Sequence, residues 1–77
     1  MITLHENDLV EFVQDVEGYD PFHDGPLEIT CGERGLIVKI AYSERDATAY
    51  TISVYSADNY VPKCFATVHR ESLRGVN

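Results

Sequence analysis

The side chains best suited to chemistry lie in the first third of the chain. The segment Asp20-Pro-Phe-His-Asp24 places an imidazole between two carboxylates, which is a donor set that can bind a divalent metal. His5 with Glu6 and Asp8 offers similar donors. A structural zinc site, however, needs four suitably spaced Cys and His ligands, and the chain has no such set. We therefore interpret the segment as a solvated acidic loop, and we predict no metal and no cofactor.

Nucleophilic catalysis needs a Ser or Cys beside a base that a third group orients. Cys31 or Cys64 with His69 could supply the first two, but no flanking motif supports them and both thiols lie in apolar stretches typical of a core. The turn Gly32-Glu-Arg-Gly35 is two glycines short of a phosphate loop, and its carboxylate would repel phosphate. We predict no catalytic residue and no enzyme activity.

Acidic and basic residues are segregated along the 77-residue chain. The first 33 residues contain nine carboxylates and no Lys or Arg, whereas the rest has six bases and four acids, so charges of −9 and +2 make up the net −7. The nine are Glu6, Asp8, Glu11, Asp15, Glu17, Asp20, Asp24, Glu28 and Glu33. If they gather on one face, that face attracts cationic partners and repels nucleic-acid backbones.

Cellular location is indicated by what the sequence lacks. The N-terminal residues have neither the basic start nor the apolar run of a signal peptide, and no apolar segment approaches the roughly 20 residues that span a bilayer. A disulfide between the two cysteines is possible, but nothing else indicates secretion. We expect a soluble, cytoplasmic protein.

Alternating apolar residues predict five short strands. They are Leu9–Val13, Leu27–Cys31, Leu36–Tyr42, Ala49–Tyr55 and Tyr60–Val68. The predicted inward faces are Val10 and Phe12 in the first strand, Leu36, Val38, Ile40 and Tyr42 in the third, and Tyr50, Ile52 and Val54 in the fourth. A helix over Glu6–Asp15 is the alternative for the first segment; we prefer the strand because its composition is β-rich and breakers follow it.

Turn signals separate these strands. Two glycines and two prolines make Gln14–Pro26 an extended acidic loop, and short polar connections follow at Gly32–Gly35, Ser43–Asp46 and Ser56–Asn59. Pro62 marks an edge strand or a bulge, because it cannot donate a ladder hydrogen bond. A single helical or 3₁₀ turn is predicted over His69–Leu73, with Leu73 closing the core and Gly75 ending the turn.

This order resembles the small Src-homology-3-like (SH3-like) barrel over roughly Asp8–Leu73. The resemblance lies in Asp8-Leu-Val-Glu-Phe-Val13, in Gly32-Glu-Arg-Gly-Leu-Ile-Val-Lys-Ile40 and in Ala66-Thr-Val-His-Arg-Glu-Ser-Leu73. It implies an all-β fold: one domain over residues 1–77, with residues 8–73 as a five-stranded barrel that has a long acidic first loop and a short C-terminal 3₁₀ turn.

Two groups of SH3-like barrels offer functional comparisons. Nucleic-acid-binding barrels of the KOW type bring Lys and Arg to their loops, whereas loop 14–26 has four acids and no base. Peptide-binding barrels use loop carboxylates and aromatic residues to hold basic, proline-rich ligands, usually with a Trp that this chain lacks. The resemblance and the exposed aromatics together suggest partner-binding residues Asp15, Glu17, Tyr19, Asp20, Phe22, Asp24 and Tyr55.

The leading hypothesis is a non-enzymatic interaction module that docks on a basic protein surface through loop 14–28. One alternative is a nucleic-acid mimic, the strategy of some small phage-type inhibitors, which would occupy the DNA-binding groove of another protein. A second is direct nucleic-acid binding through Lys39, Lys63, Arg70 and Arg74. A third is an accessory subunit of an enzyme. The oligomeric state is left open.

Overall fold

The computed structural model of the protein describes residues 3–22, 24–55 and 62–76. Within them the chain forms seven strands and one 3₁₀ helix. The strands are β1 (Leu9–Phe12), β2 (Val16–Gly18), β3 (Leu27–Ile29), β4 (Arg34–Ser43), β5 (Asp46–Tyr55), β6 (Pro62–Val68) and β7 (Leu73–Gly75), and the 3₁₀ helix is Arg70–Ser72. The predicted all-β class is confirmed.

The strands form two antiparallel sheets. The large sheet has five strands in the order β6-β5-β4-β1-β7, and the small sheet pairs β2 with β3. An isolated bridge between Tyr19 and Phe65 joins the end of the small sheet to β6. In the part of the chain that is described, β6 and β7 are the edges of the large sheet and do not pair with each other. The predicted closure into a barrel is therefore not confirmed.

A single hydrophobic cluster fills the space that the two sheets enclose. Its members are Leu4, Val10, Phe12, Ile29, Ile37, Ile40, Tyr50, Ile52, Val54, Cys64, Ala66, Val68 and Leu73. The inward faces predicted for β1 and β5 are confirmed. Half-buried Val16 and Leu27 pack the small sheet against this cluster, so core packing holds the hairpin in place.

Of the four inward residues predicted for β4, only Ile40 is buried in the core cluster. Leu36 is half-buried and Val38 is 45% exposed, whereas Ile37 is fully buried. Irregular pairing with β5 between Ile37 and Lys39 inserts Val38 as an extra residue, and such a bulge reverses which alternate side chains face inward. A second irregularity follows Ala41, and Tyr42 is 63% exposed instead of buried.

The strand preferred for the first segment is confirmed: β1 occupies Leu9–Phe12, and the alternative helix over Glu6–Asp15 does not form. Two other local predictions need correction. The extended loop Gln14–Pro26 contains a strand, β2. Cys31 is exposed rather than part of the core, although Cys64 is buried as predicted, and both are free thiols.

The C-terminal predictions are mostly confirmed. The 3₁₀ turn follows β6, and Leu73 is buried, but Gly75 lies in β7 instead of ending the turn. Pro62 begins β6 at a sheet edge and next to a bulge, as predicted. The turn Ser56–Asn59 and the start of the fifth predicted strand at Tyr60 lie outside the described residues. Over the described ranges, none of the helices has the length and apolar character needed to cross a membrane.

Glu11 joins three strands through its carboxylate. Its Oε2 accepts hydrogen bonds from Arg34 Nε at 3.3 Å and from Arg74 Nη2 at 3.1 Å, which links β1 to β4 and to β7. The hydrogen bond from Arg74 is the main cause that lowers the pKa of Glu11 below its ordinary value of 4.5. Ionised Glu11 therefore favours the folded state.

Replacing Glu11 with Gln should reduce stability near neutral pH but have little effect in acid. Because folding lowers its pKa, the contribution of Glu11 is complete above the ordinary value of 4.5 and is lost as the pH falls through the lower folded value. The urea midpoint of Glu11→Gln should therefore lie below that of the native protein at about pH 7, and the two midpoints should become similar at about pH 3. The charge-matched control is Glu6→Gln, at an exposed position. If Glu6→Gln loses as much stability at about pH 7 and as little at about pH 3, the effect does not belong to the ion pairs of Glu11.

Candidate functional site

The β2–β3 hairpin is fixed to the large sheet at the end of its first strand, β2. Tyr19 N–H donates to the Phe65 carbonyl at 2.7 Å, and Phe65 N–H donates to the Tyr19 carbonyl at 2.8 Å. Gly18 makes this approach possible, because a Cβ there would lie 2.8 Å from the Phe65 carbonyl oxygen. The hairpin is thus held by two backbone hydrogen bonds as well as by its apolar side chains.

The same hydrogen bonds determine how the two strands of the hairpin face each other. Backbone groups point to alternate sides along a strand, so Tyr19 and Glu17 point toward β6 while Gly18 points toward β3. The register pairs Gly18 with Leu27 and Glu17 with Glu28. Glu17 and Glu28 therefore form a non-hydrogen-bonded pair, in which the Cα atoms are about 4.5 Å apart and the side chains lie on one face.

This pair borders a shallow groove of about 470 Å³. The groove is lined by Asp15, Val16, Glu17, Pro26, Leu27 and Glu28. Asp15 is held in position because its Oδ1 accepts the Cys31 N–H at 2.7 Å. Three carboxylates thus border the groove, an arrangement suited to a cationic ligand.

The fold neutralises only part of the N-terminal acidic charge. Glu11 is paired with two arginines, and Glu33 is paired with Lys63. Among the described residues, no Lys or Arg forms an ion pair with Asp15, Glu17 or Glu28. The predicted anionic face is thus reduced at Glu11 and Glu33, while the hairpin retains its negative charge.

Two of the predicted aromatic residues follow the hairpin's first strand. The Phe22 side chain is 97% exposed, and its N–H donates to Asp20 Oδ1 at 2.9 Å. The Tyr19 ring is 48% exposed and lies against the Phe65 ring, with their centroids 6.0 Å apart. Exposed aromatic side chains beside a charged groove are typical of surfaces that bind other proteins.

The remaining predicted site residues are placed less centrally. Asp24 is exposed at the tip of the hairpin, next to Gly25 with its φ of +86°. Tyr55 is half-buried on β5 opposite Pro62 and is not one of the residues that line the groove. The structure therefore groups Asp15 and Glu17, places Tyr19, Asp20 and Phe22 just beyond them, and separates Tyr55.

Sequence reasoning missed a row of five side chains, four of them apolar and one a buried serine, that extends from Tyr19 across the large sheet on the face opposite the core. Pairing partners share a face, and the register places five residues side by side. This outer strip consists of Tyr19, Phe65, Ser53, Leu36 and Leu9. The sequence signal for this row was the order Cys64-Phe65-Ala66. Since Cys64 and Ala66 face the core, strand alternation places Phe65 on the face away from it.

Cys64 lies beneath the joint between the hairpin and β6. A Cβ on Gly18 would be 3.1 Å from its Sγ. Burial raises the pKa of the Cys64 thiol; the Asp20 and Glu33 carboxylates raise it further, while Lys63 opposes them. The thiol is thus protonated and shielded, which does not suit a nucleophile.

Metal ligation finds no support in the described geometry. Over residues 3–22, 24–55 and 62–76, no three Cys, His, Asp or Glu side chains lie close enough together to hold a metal ion. His23 of the candidate Asp20–Asp24 segment lies outside the described residues. His5 is engaged with Asp8, whose Oδ2 accepts its backbone N–H at 2.8 Å.

Comparisons with models of protein families, with curated proteins and with solved structures gave no match.

Proposed function

We propose that this chain is a non-enzymatic interaction module that binds a basic protein segment through the β2–β3 hairpin. The observation that carries the proposal is the pair Glu17 and Glu28, directly opposite each other and without a described Lys or Arg partner. Like charges in that position destabilise a hairpin by about 0.2–1 kcal/mol. A cation supplied by a partner would relieve this repulsion, so the arrangement favours the bound state.

The surroundings of the pair support a protein as the partner. The almost fully exposed Phe22 provides a large apolar side chain beside the groove, and the half-exposed Tyr19 ring lies near it. Carboxylates would accelerate and orient the encounter, while the apolar and aromatic groups would supply buried area. The outer strip extends this area from Tyr19 toward Leu9.

We also propose that the fold is an open relative of the SH3-like barrel and that the protein acts in the cytoplasm. The strand order β7-β1-β4-β5-β6, with a long hairpin inserted between β1 and β4, supports the resemblance. The free thiols, one of them exposed, suit a reducing compartment.

Direct nucleic-acid binding receives less support. Of the four bases considered for it, Lys63 and Arg74 are in ion pairs with acids, and Arg70 Nη1 donates to the Leu73 carbonyl at 2.7 Å. Phosphate contacts would have to displace these partners. The mimic and accessory-subunit hypotheses involve protein partners and differ from the proposal in what that partner does.

The double variant Glu17→Gln/Glu28→Gln should bind basic partners about tenfold more slowly at low ionic strength. We expect the salt dependence of association to flatten as well, because two steering charges are removed. The measurement is surface plasmon resonance with an oligolysine peptide, followed by capture from host lysate at low and high salt.

The matched control is Glu44→Gln/Glu71→Gln, which removes the same charge from exposed positions in the β4–β5 turn and the 3₁₀ helix. Binding that depends on the hairpin should survive in this control. Equal slowing in both double variants would mean that net charge alone governs association, and it would contradict the proposed surface.

A further inference from the structure

The small sheet has an unpaired edge at β3. Among the described residues β3 pairs only with β2. Leu27 and Ile29 face β2 with their backbone groups, so Glu28 directs its N–H and carbonyl away from the hairpin. None of the hydrogen bonds found in the described ranges uses these two groups. Unpaired strand edges of this kind are sites where another strand can add.

The open part of this edge is short and well defined. Pro26, two residues before Glu28, has no N–H to donate. Two residues after it, the Thr30 N–H is already bonded to Glu33 Oε2 at 2.6 Å. Glu28 is thus the centre of the available edge, and any strand that adds there must pair with it.

We propose that an extended segment of the basic partner adds to β3 as a third strand, with an Arg or Lys opposite Glu28. This inference rests on the proposed function and specifies how the partner binds. The partner residue would exchange two backbone hydrogen bonds with Glu28, and its side chain would lie on the face of the Glu17–Glu28 pair. The partner residues before and after it would place their side chains on the other face of the sheet, the face of Leu27 and Ile29, and should be apolar.

A second copy of this chain does not fit the same edge. Symmetric antiparallel pairing of two β3 strands must centre on Glu28, which would place two Glu28 side chains directly opposite each other. Each copy also carries a net charge of −7. The edge therefore selects a partner of opposite charge and disfavours self-association.

The probe is a capped pentapeptide, Lys-Val-Arg-Val-Lys, added to the full chain. Binding as a strand should slow hydrogen exchange of the Glu28 amide by about tenfold when the peptide is near saturation, because that N–H becomes hydrogen-bonded. Nuclear magnetic resonance of the labelled protein measures exchange at each amide. The Cys31 amide, already bonded to Asp15, is the internal reference and should change little.

Two singly N-methylated peptides separate strand pairing from charge attraction. Methylation of the Arg nitrogen blocks its hydrogen bond to the Glu28 carbonyl and should weaken binding about tenfold. Methylation of the preceding Val nitrogen, which points away from the edge, leaves the charge and the pairing intact. That peptide should bind like the parent.

The outcomes distinguish the two levels of the proposal. Equal binding of both methylated peptides with unchanged Glu28 exchange would overturn strand addition, and the proposed function would stand if Glu17→Gln/Glu28→Gln still weakened binding. Undiminished peptide binding by that double variant would overturn the proposed function. Failure of all three peptides to bind at low salt would overturn both.

Discussion

Glu28→Lys should stabilise the fold and abolish most of the binding. The substitution replaces repulsion with a cross-strand ion pair to Glu17, for which we expect a gain of about 0.5–1 kcal/mol in the free energy of unfolding. The same change turns one of the groove's three carboxylates into a cation, so affinity for a basic partner should fall about a hundredfold at low salt. Urea denaturation and plasmon resonance with the oligolysine peptide measure the two effects.

The test is selective because Glu28→Lys should raise stability while it lowers affinity. Glu71→Lys changes the net charge equally at an exposed position in the 3₁₀ helix, outside the hairpin. We expect that control to gain no cross-strand pair and to lose only a small part of the binding. If Glu28→Lys is no more stable than Glu71→Lys, the two facing carboxylates do not repel each other as the register indicates.

Alternation predicts the inward face of those strand segments that contain no inserted residue. Val10 and Phe12 in β1, and Ile52 and Val54 in β5, are buried as expected. Each of these strands has one face toward the cluster, so a period of two in the sequence corresponds directly to inside and outside.

In β4, alternation does not predict which side chains face inward. Its residues Leu36, Ile37 and Val38 are all apolar and β-branched or aliphatic, so the sequence fits either choice of inward face. The bulge at Val38 selects Ile37, and that choice depends on pairing with β5 rather than on any local signal. A continuous apolar run therefore predicts the strand but not its orientation.

The candidate site was predicted in composition but not in geometry. The density of acids in Asp15–Glu28 and the presence of Phe22 are visible in the sequence. That Glu17 lies opposite Glu28 depends on the register of the hairpin, which the bridge between Tyr19 and Phe65 helps to set. No local sequence pattern predicts such contacts between distant parts of the chain.

Register also explains why the acids of the first third do not act alike. Glu11 lies in β1, where its neighbours across the sheet are Arg34 and Arg74, and its charge serves stability. Glu17 has Glu28 in the equivalent position, and we expect its charge to oppose stability. Identical side chains six residues apart should thus have opposite effects on folding, which separates structural carboxylates from candidate binding ones.

Gly18→Ala should destabilise the protein by about 3 kcal/mol, a large share of the stability of so small a domain. The added Cβ would lie 2.7 Å from Ile29 Cδ1 and 2.8 Å from the Phe65 carbonyl oxygen. The Ile29 side chain can rotate, but the carbonyl belongs to the bridge with Tyr19 and cannot move without breaking it. We therefore expect the hairpin to separate from β6, and denaturant midpoints should fall accordingly.

Reactivity of Cys64 distinguishes separation of the hairpin from general loss of stability. In the native protein Cys64 is 3% exposed and beneath the joint, so a thiol reagent should label exposed Cys31 first. Gly18→Ala should accelerate labelling of Cys64 under native conditions. Gly75→Ala is the matched control, because its Cβ would meet only Leu4 Cδ2 at 3.4 Å; its stability should stay within about 0.5 kcal/mol of the native value. Unchanged Cys64 labelling in Gly18→Ala would show that Gly18 does not hold the hairpin against β6.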